Sequence, residues 1–401
     1  MPTITEAELV QGLQDHEFIL YYQPKASLIT NRVVGAEALA RWRRRDGGVV
    51  APGVFIPLMQ EAGLLRQLTR QLLARLMHDM EGALGADIRV SFNVGVDDFE
   101  DDALSGMLLD AIGSHRLLAS SLELEVTETQ ALQCCDILLG RIQGLLDAGI
   151  SLAMDDFGTG YSSIDTLSKL PFTTIKLDQG IVGRMLGSAK DAAIVRTAIR
   201  LGHEMGVEVV AEGVETQAQR DVLIECGCKL VQGYLVSPPL PLEAFRTFRA
   251  ASGDAHSFPV GLVHLAILDH VQWRRQIVSY AVQRATLPRN CPTRKADGYP
   301  EMNVTLCALG RWYFGDGRHL EATPIYHAID APHREVHRIG EAIVAQVRQG
   351  ATLAELAGLL STMKAVSTTL VRLLEDLEDA GLQELYREAE IEAGPVTNNS
   401  L

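Results

Sequence analysis

Eight short apolar runs recur through the first 240 residues, and each leads into a carboxylate, an amide or a lysine. They are FILYYQP (18–24), VGAEALA (34–40), RVSFNVG (89–95), LELEVTE (122–128), SLAMDDFG (151–158), TTIKLDQ (173–179), EVVAEGVE (208–215) and LVQGYLVS (230–237). β-rich runs separated by helix-length stretches predict an α/β fold of parallel strands closing into a barrel. Such a barrel gathers its C-terminal strand ends at one mouth, so residues distant in sequence become neighbours. The polar endings are Gln23, Glu37, Asn93, Glu125 with Glu128, Asp155 with Asp156, Lys176, Glu212 with Glu215, and Gln232. That many carboxylates in one mouth repel one another unless cations lie between them, which predicts a pair of divalent metals.

Only SLITNRV separates the first two runs, too few residues for a parallel crossover. The first strand is therefore expected to run antiparallel to the second. Helical spacing of apolar residues follows from Pro57 to Leu84, then near 102–112, 132–148, 161–170, 184–206 and 216–226. Pro238, Pro239 and Pro241 are expected to close the last strand. Beyond residue 260 the strand signal gives way to helical stripes, interrupted by a loop-rich stretch from Pro288 to Pro300. The stripes comprise Ile339, Ile343, Val344 and Val347, then Leu356, Leu359, Leu360, Met363, Val366, Leu370, Leu373 and Leu377, the expected core of a helical bundle. The 401 residues thus divide into a barrel (1–250), a polar linker (251–259), a helical domain (260–390) and a disordered tail (391–401).

With 47% hydrophobic and 22% charged residues, the chain can bury a large core. A net charge of -15 argues against binding long nucleic acids or anionic membranes, while a small phosphate ligand stays compatible where metals and local cations offset the acidity. No basic segment followed by an apolar core opens the chain, and no stretch reaches the roughly 18–20 apolar residues of a membrane span. A cytoplasmic location is expected. Cys134, Cys135, Cys226, Cys228, Cys291 and Cys307 suggest no disulfide framework. Cys226 and Cys228, one residue apart with no second pair, read as plain thiols at the end of a helix.

The densest motif is Met154-Asp155-Asp156-Phe157-Gly158-Thr159-Gly160-Tyr161-Ser162-Ser163. Adjacent acids point to opposite sides of an ideal strand, but at a strand's end the backbone bends and both can reach a metal. Magnesium and manganese prefer such oxygen ligands. One acid alone reads better as a helix N-cap or a solvated loop residue than as catalytic; the repetition at successive strand ends argues for chemistry. With Glu37-Ala38-Leu39, Asn93, Glu125-Val126-Thr127-Glu128, Lys176-Leu177-Asp178, Glu212-Gly213-Val214-Glu215 and Gln232-Gly233-Tyr234, the pattern over about residues 5–250 resembles the EAL domain. The resemblance implies a modified triosephosphate-isomerase (TIM-like) barrel that hydrolyses cyclic di-GMP to the linear dinucleotide with two Mg2+ or Mn2+ ions. Glu37, Asn93, Glu125 and Asp155 would hold one metal, and Asp155, Asp156 and Glu212 would serve the other or its water. Lys176 would contact the attacking water or the phosphate. Glu128 would brace the Asp-Asp-Phe-Gly-Thr-Gly loop, Arg41 would pair with a substrate phosphate, and Glu215 would take part in catalysis. Gln23, Leu39, Asp178 and Gln232 would line the substrate site. A receptor that binds cyclic di-GMP or zinc without turnover is the alternative.

In the helical domain the informative residues are His270 in DHVQW, Cys307 in CALGRWYFGDG, and His333 with His337 in PHREVH. Histidines four apart share one helix face and can bind one metal together. Three imidazoles and a thiolate would complete a tetrahedral zinc site. The set resembles the chemoreceptor zinc-binding (CZB) domain over about residues 262–375, with His264 and His327 as alternatives to His270. The resemblance implies one Zn2+ whose thiolate is oxidisable, hence either regulation by zinc or oxidant or a purely structural staple. A homodimer is compatible with this reading.

Overall fold

The computed structural model describes residues 4–85, 87–128, 130, 136–158, 166–167, 170–253, 258–287 and 298–393. The chain divides into two compact units, Met1–Val222 with Cys228–Ala255, and Leu223–Gly227 with His256–Leu401.

In the first unit, β1 (Phe18–Ser27) and β2 (Val33–Arg43) form the expected antiparallel hairpin, with Gln23 opposite Glu37. Six strands then follow in parallel register: β3 (Arg89–Asn93), β4 (Leu122–Thr127), β5 (Ser151–Phe157), β6 (Thr174–Leu177), β7 (Glu208–Ala211) and β8 (Leu230–Gln232). Because β1 also pairs antiparallel with β8, the sheet closes into the expected eight-stranded barrel. Residues directly opposite across a ladder share a face, so the registers sort the side chains. Leu122, Leu124 and Val126 of β4 and Ile175 and Leu177 of β6 alternate with inward-facing Glu123, Glu125, Thr174 and Lys176, and all nine are buried.

The strands are wrapped by α1 (Glu6–Gln14), α2 (Pro52–Glu61), α3 (Leu65–Asp79), α4 (Ala103–Gly113), α5 (Asp136–Asp147), α6 (Gln179–Arg184), α7 (Ala189–Met205), α8 (Gln217–Glu225) and α9 (Leu242–Ala251). The helical spacing over 57–84 corresponds to α2 and α3, parted where Gly63 takes a positive φ of 68°, and to a π-helical turn at Met80–Leu84. The helix expected from 184 starts at Ala189, because Ser188 accepts a hydrogen bond from the Asp191 amide and caps it. Residues 161–165 and 168–169 of the helix expected near 161–170 lie outside the described residues. The last strand stops at Gln232 rather than running to 237. A Cβ on Gly233 would lie 2.2 Å from the Val214 carbonyl oxygen and 2.3 Å from its nitrogen, so the chain turns there with no room for a side chain. Leu240–Pro241 instead adds a two-residue strand against Tyr21 and Tyr22.

The second unit contains α10 (Val260–Thr286), α11 (Ala308–Phe314), α12 (Pro324–Arg348) and α13 (Leu353–Ala393). Its core follows the expected stripes: Ile339, Ile343, Val344 and Val347 of α12 face inward, as do Leu356, Met363, Leu370 and Leu377 of α13 at seven-residue spacing. Leu359, Leu360, Val366 and Leu373 are only half-buried, and Ser367 and Leu374 take the intervening core positions. Helix α13 runs to Ala393, past the expected start of the tail, and 394–401 lie outside the described residues. Among the described residues no helix is long and apolar enough to cross a membrane.

Candidate active site and zinc centre

Strand register brings the expected mouth residues together around one lysine. Lys176, buried on β6, has its Nζ 2.7 Å from Glu125 Oε2, 2.8 Å from Glu212 Oε1, and 3.3 Å from both Glu37 Oε2 and Asp155 Oδ1. Asn93 donates to Glu37 Oε1 at 2.8 Å, which fixes that carboxylate and leaves the Asn93 amide oxygen for another partner. Gln232 donates to Glu37 Oε2 at 2.5 Å and to Gln23 Oε1 at 3.2 Å. Gln23 in turn donates to the Ser237 carbonyl. Asp156, the residue after Asp155, takes a left-handed φ of 58°; its N–H donates to Asp155 Oδ1, and its own side chain is exposed. The chain thus bends at the strand's end, as two usable adjacent acids require.

Burial and charge divide the carboxylates. Burial alone would raise the Glu125 pKa, but Lys176 and then Lys25 outweigh it and hold the group down at about 2. Burial dominates at Glu212, against the pull of Lys176, and pushes its carboxyl up to about 8. Glu37 and Asp155 are also raised, chiefly by burial. Desolvation works against the charge on Lys176, yet the surrounding carboxylates raise its pKa well above lysine's usual value. Four acids therefore share one mouth ammonium, an excess of negative charge that divalent cations would neutralise. The buried Gln232 Oε1, with no hydrogen-bond partner among the described residues, points to the same missing partner. The donor set, all oxygen from carboxylates and an amide, fits magnesium or manganese.

Glu37, Leu39 and Arg41 share the inner face of β2 by two-residue spacing. Leu39 lies opposite Tyr21, and the Arg41 guanidinium sits 5.5 Å from the Tyr21 ring centroid. Glu128 is buried just after β4, and Thr159 and Gly160 of the loop it was expected to brace lie outside the described residues. Asp178 and Glu215 also make local contacts of their own. Asp178 caps α6, its Oδ1 accepting from the Gly180 and Ile181 amides. Glu215 is exposed, and its N–H donates to Gln219. The register also reveals a polar layer that the strand endings did not advertise: Lys25, Ser91, Glu123 and Thr174, each buried and two residues from a mouth residue on its own strand. Two-residue periodicity was the available signal.

In the second unit, Cys307, His333 and His337 present ligand atoms within 4.8 Å of one another, and all three are buried. Cys307 caps α11, its Sγ accepting from the Gly310 amide at 3.1 Å and lying 3.3 Å from His333 Nε2. The two histidines are one turn apart on α12. His337 donates through Nδ1 to the Met302 carbonyl, which leaves Nε2 for a metal. Burial pushes the Cys307 thiol up to about 11 and the His333 imidazole down to about 3. The buried Nδ1 of His333 has no hydrogen-bond partner among the described residues. One thiol and two imidazoles suit zinc. His270 stands outside this group: it is buried, and its Nε2 is paired with Ser367 Oγ at 2.8 Å, a hydroxyl that also accepts from Arg274. Burial pushes its pKa down to about 3. His264 is exposed and pairs with Glu378, and His327 is exposed and contacts the Glu321 carbonyl. Cys226 and Cys228 lie just beyond α8 and are not joined in a disulfide.

Residues 6–239 match the family model of the EAL domain. The chain belongs to the EAL-domain family. Residues 270–344 match the chemoreceptor zinc-binding domain. Among curated proteins, the chain is 36% identical over 239 residues to the bifunctional diguanylate cyclase/cyclic di-GMP phosphodiesterase MucR of Pseudomonas aeruginosa, covering 59% of this chain and 35% of MucR. It is 36% identical over 248 residues to the cyclic di-GMP phosphodiesterase RocR of the same organism, covering 61% of this chain and 63% of RocR. The chain thus spans about a third of MucR and under two thirds of RocR. Among solved structures, the MucR phosphodiesterase in complex with cyclic di-GMP superposes with a TM-score of 0.54 at 34% identity, over 60% of this chain and 98% of that one. An EAL domain protein from Listeria monocytogenes gives 0.57 at 28% identity, over 62% and 99%.

Proposed function

We propose that this EAL-family chain is a cyclic di-GMP phosphodiesterase that opens the cyclic dinucleotide to linear pGpG with two magnesium or manganese ions. The observation that carries the reading is the cluster of Glu37, Glu125, Asp155 and Glu212 around Lys176, with Asn93 and Gln232 aligned on it. Glu37, Asn93, Glu125 and Asp155 would hold one ion, and Asp155, Asp156 and Glu212 the other or its water. Two such ions, when bound, lower the pKa of a bound water and neutralise charge developing on phosphorus. The residues do the rest. Lys176 supplies a fixed positive charge beside the attacking water, and Arg41 offers a planar fork to a phosphate. Leu39 and Gln23 line the same face as these groups. Water adds to phosphorus as one ester P–O bond breaks, so one of the two phosphodiesters is hydrolysed.

The reading extends to the second unit, where Cys307, His333 and His337, with His270 beside them, would hold one zinc ion that tunes hydrolysis in response to zinc or oxidant. The test follows pGpG release by chromatography with Mn2+ or Mg2+, with a general chelator, and with a zinc-selective chelator. Release with either divalent ion and none with the general chelator is expected. If cyclic di-GMP binds but no pGpG forms over buffer, the receptor alternative replaces the enzyme; a rate indifferent to zinc leaves zinc as a staple only.

A further inference from the structure

We propose that Lys25 is a positioning residue for the barrel's metal-holding carboxylates, acting through Glu125. The inference rests on the reading above that Glu125 holds a divalent cation. Lys25 is 4% exposed, and its ammonium has a partner for each of its three protons: Ser91 Oγ at 2.6 Å, Glu125 Oε1 at 3.1 Å and Glu123 Oε2 at 3.2 Å. Glu125 is completely buried and is gripped at both oxygens, Oε2 by Lys176 from the mouth layer and Oε1 by Lys25 from the layer beneath.

The two lysines are not equivalent. Lys176 divides its charge among four carboxylates, so it cannot by itself fix the orientation of any one. Lys25 touches a single mouth residue, and its other contacts tie it to the barrel wall: Glu123 accepts from Thr174, and Ser91 lies within reach of the Ala36 carbonyl. The hairpin sets Lys25 opposite Gly35, where a Cβ would lie 3.0 Å from the Arg89 carbonyl oxygen and 3.5 Å from the lysine stem. Strand β2 thus leaves the stem its space. The ammonium fixes the plane of Glu125 before any cation arrives, and partners that orient a ligand in this way typically change metal affinity by about 10–100-fold.

The alternative is an internal ion pair that only stabilises the barrel. Replacing both partners by apolar residues of similar size, Lys25→Met with Glu123→Leu, avoids leaving a bare buried charge. In the intact 401-residue chain, Mn2+ affinity measured by calorimetric titration should fall about 10–100-fold. KM for cyclic di-GMP at saturating Mn2+ should stay within about threefold while kcat falls. Glu123→Gln alone, which leaves the Lys25–Glu125 contact in place, should titrate like the wild type. If the apolar pair fails to fold, Lys25→Gln with Glu123→Gln serves in its place. A folded variant of either pair with wild-type Mn2+ affinity overturns the assignment. A wild type that binds Mn2+ yet releases no pGpG overturns the phosphodiesterase reading alone, with Lys25 still decided by the affinities. A wild type that binds no Mn2+ overturns both.

Discussion

Lys176→Met separates the two duties of the central lysine. The substitution keeps an unbranched buried stem but removes the one ammonium that faces Glu37, Glu125, Asp155 and Glu212 within 3.3 Å. Removing one partner from a buried ion pair costs about 3–5 kcal/mol, because the remaining charge is left in a poor dielectric. For a unit of this size each kcal/mol lowers Tm by about 2–4 °C, so the chelator-treated variant should melt roughly 6–20 °C below the chelator-treated wild type. Zinc loss is common to both samples and cancels. With saturating Mn2+, cations that bind the folded site supply the missing positive charge and stabilise by mass action, so the gap should shrink to less than half. Activity should fall about 100-fold or more even then, because no side chain replaces the fixed charge beside the reacting phosphate. Differential scanning calorimetry with and without Mn2+ reads both melting arms. A Tm gap that is absent, or that Mn2+ leaves unchanged, would show that the acids are not held together by electrostatic balance.

Gly233→Ala should lower stability by about 3 kcal/mol or more, since the added methyl meets the Val214 backbone at 2.2–2.3 Å; a melting point within a degree of wild type contradicts this. The buried His270 and His333 have folded-state pKa values depressed to about 3, below the unfolded value near 6.5. Their stabilising share is therefore complete above pH 6.5 and lost as pH falls toward 3. By pH 5 the zinc-free chain should lose about 2–4 kcal/mol, read from denaturant midpoints by the fluorescence of Trp273 and Trp312, and a midpoint constant from pH 7 to 5 is the contrary result. Cys307→Ala should cut zinc content by elemental analysis to well under half the wild-type level; an unchanged content would remove the thiolate from the site.

Much of the barrel was legible because its strands are buried on both faces and end in polar residues, so run boundaries and chemistry coincide. The short β1–β2 link announced the antiparallel hairpin, and the Glu37, Glu125, Asp155, Lys176 and Glu212 endings announced the cluster. What stayed hidden has physical causes. Glu123 lies inside an apolar run and Lys25 just past the end of another, and only the closed register shows that they meet. Helix α9 follows a proline-rich stretch that reads as a terminator. Asp178 and Glu215 follow strands just as the mouth acids do, and spacing did not reveal that Asp178 also caps a helix or that the Glu215 side chain is exposed. In the second unit, the HxxxH pair was readable from spacing and Cys307 from its motif's resemblance, whereas the Ser367 partner of His270 lies 97 residues further on.

Ser367 occupies a slot in the α13 seam that leucine would fill, between Met363 and Leu370. A leucine there would contribute about 1.5–3 kcal/mol by burial. The chain forgoes that gain to seat a hydroxyl against one imidazole and one guanidinium. Filling that position in a Ser367→Leu variant would therefore trade the polar contacts to His270 and Arg274 for apolar burial.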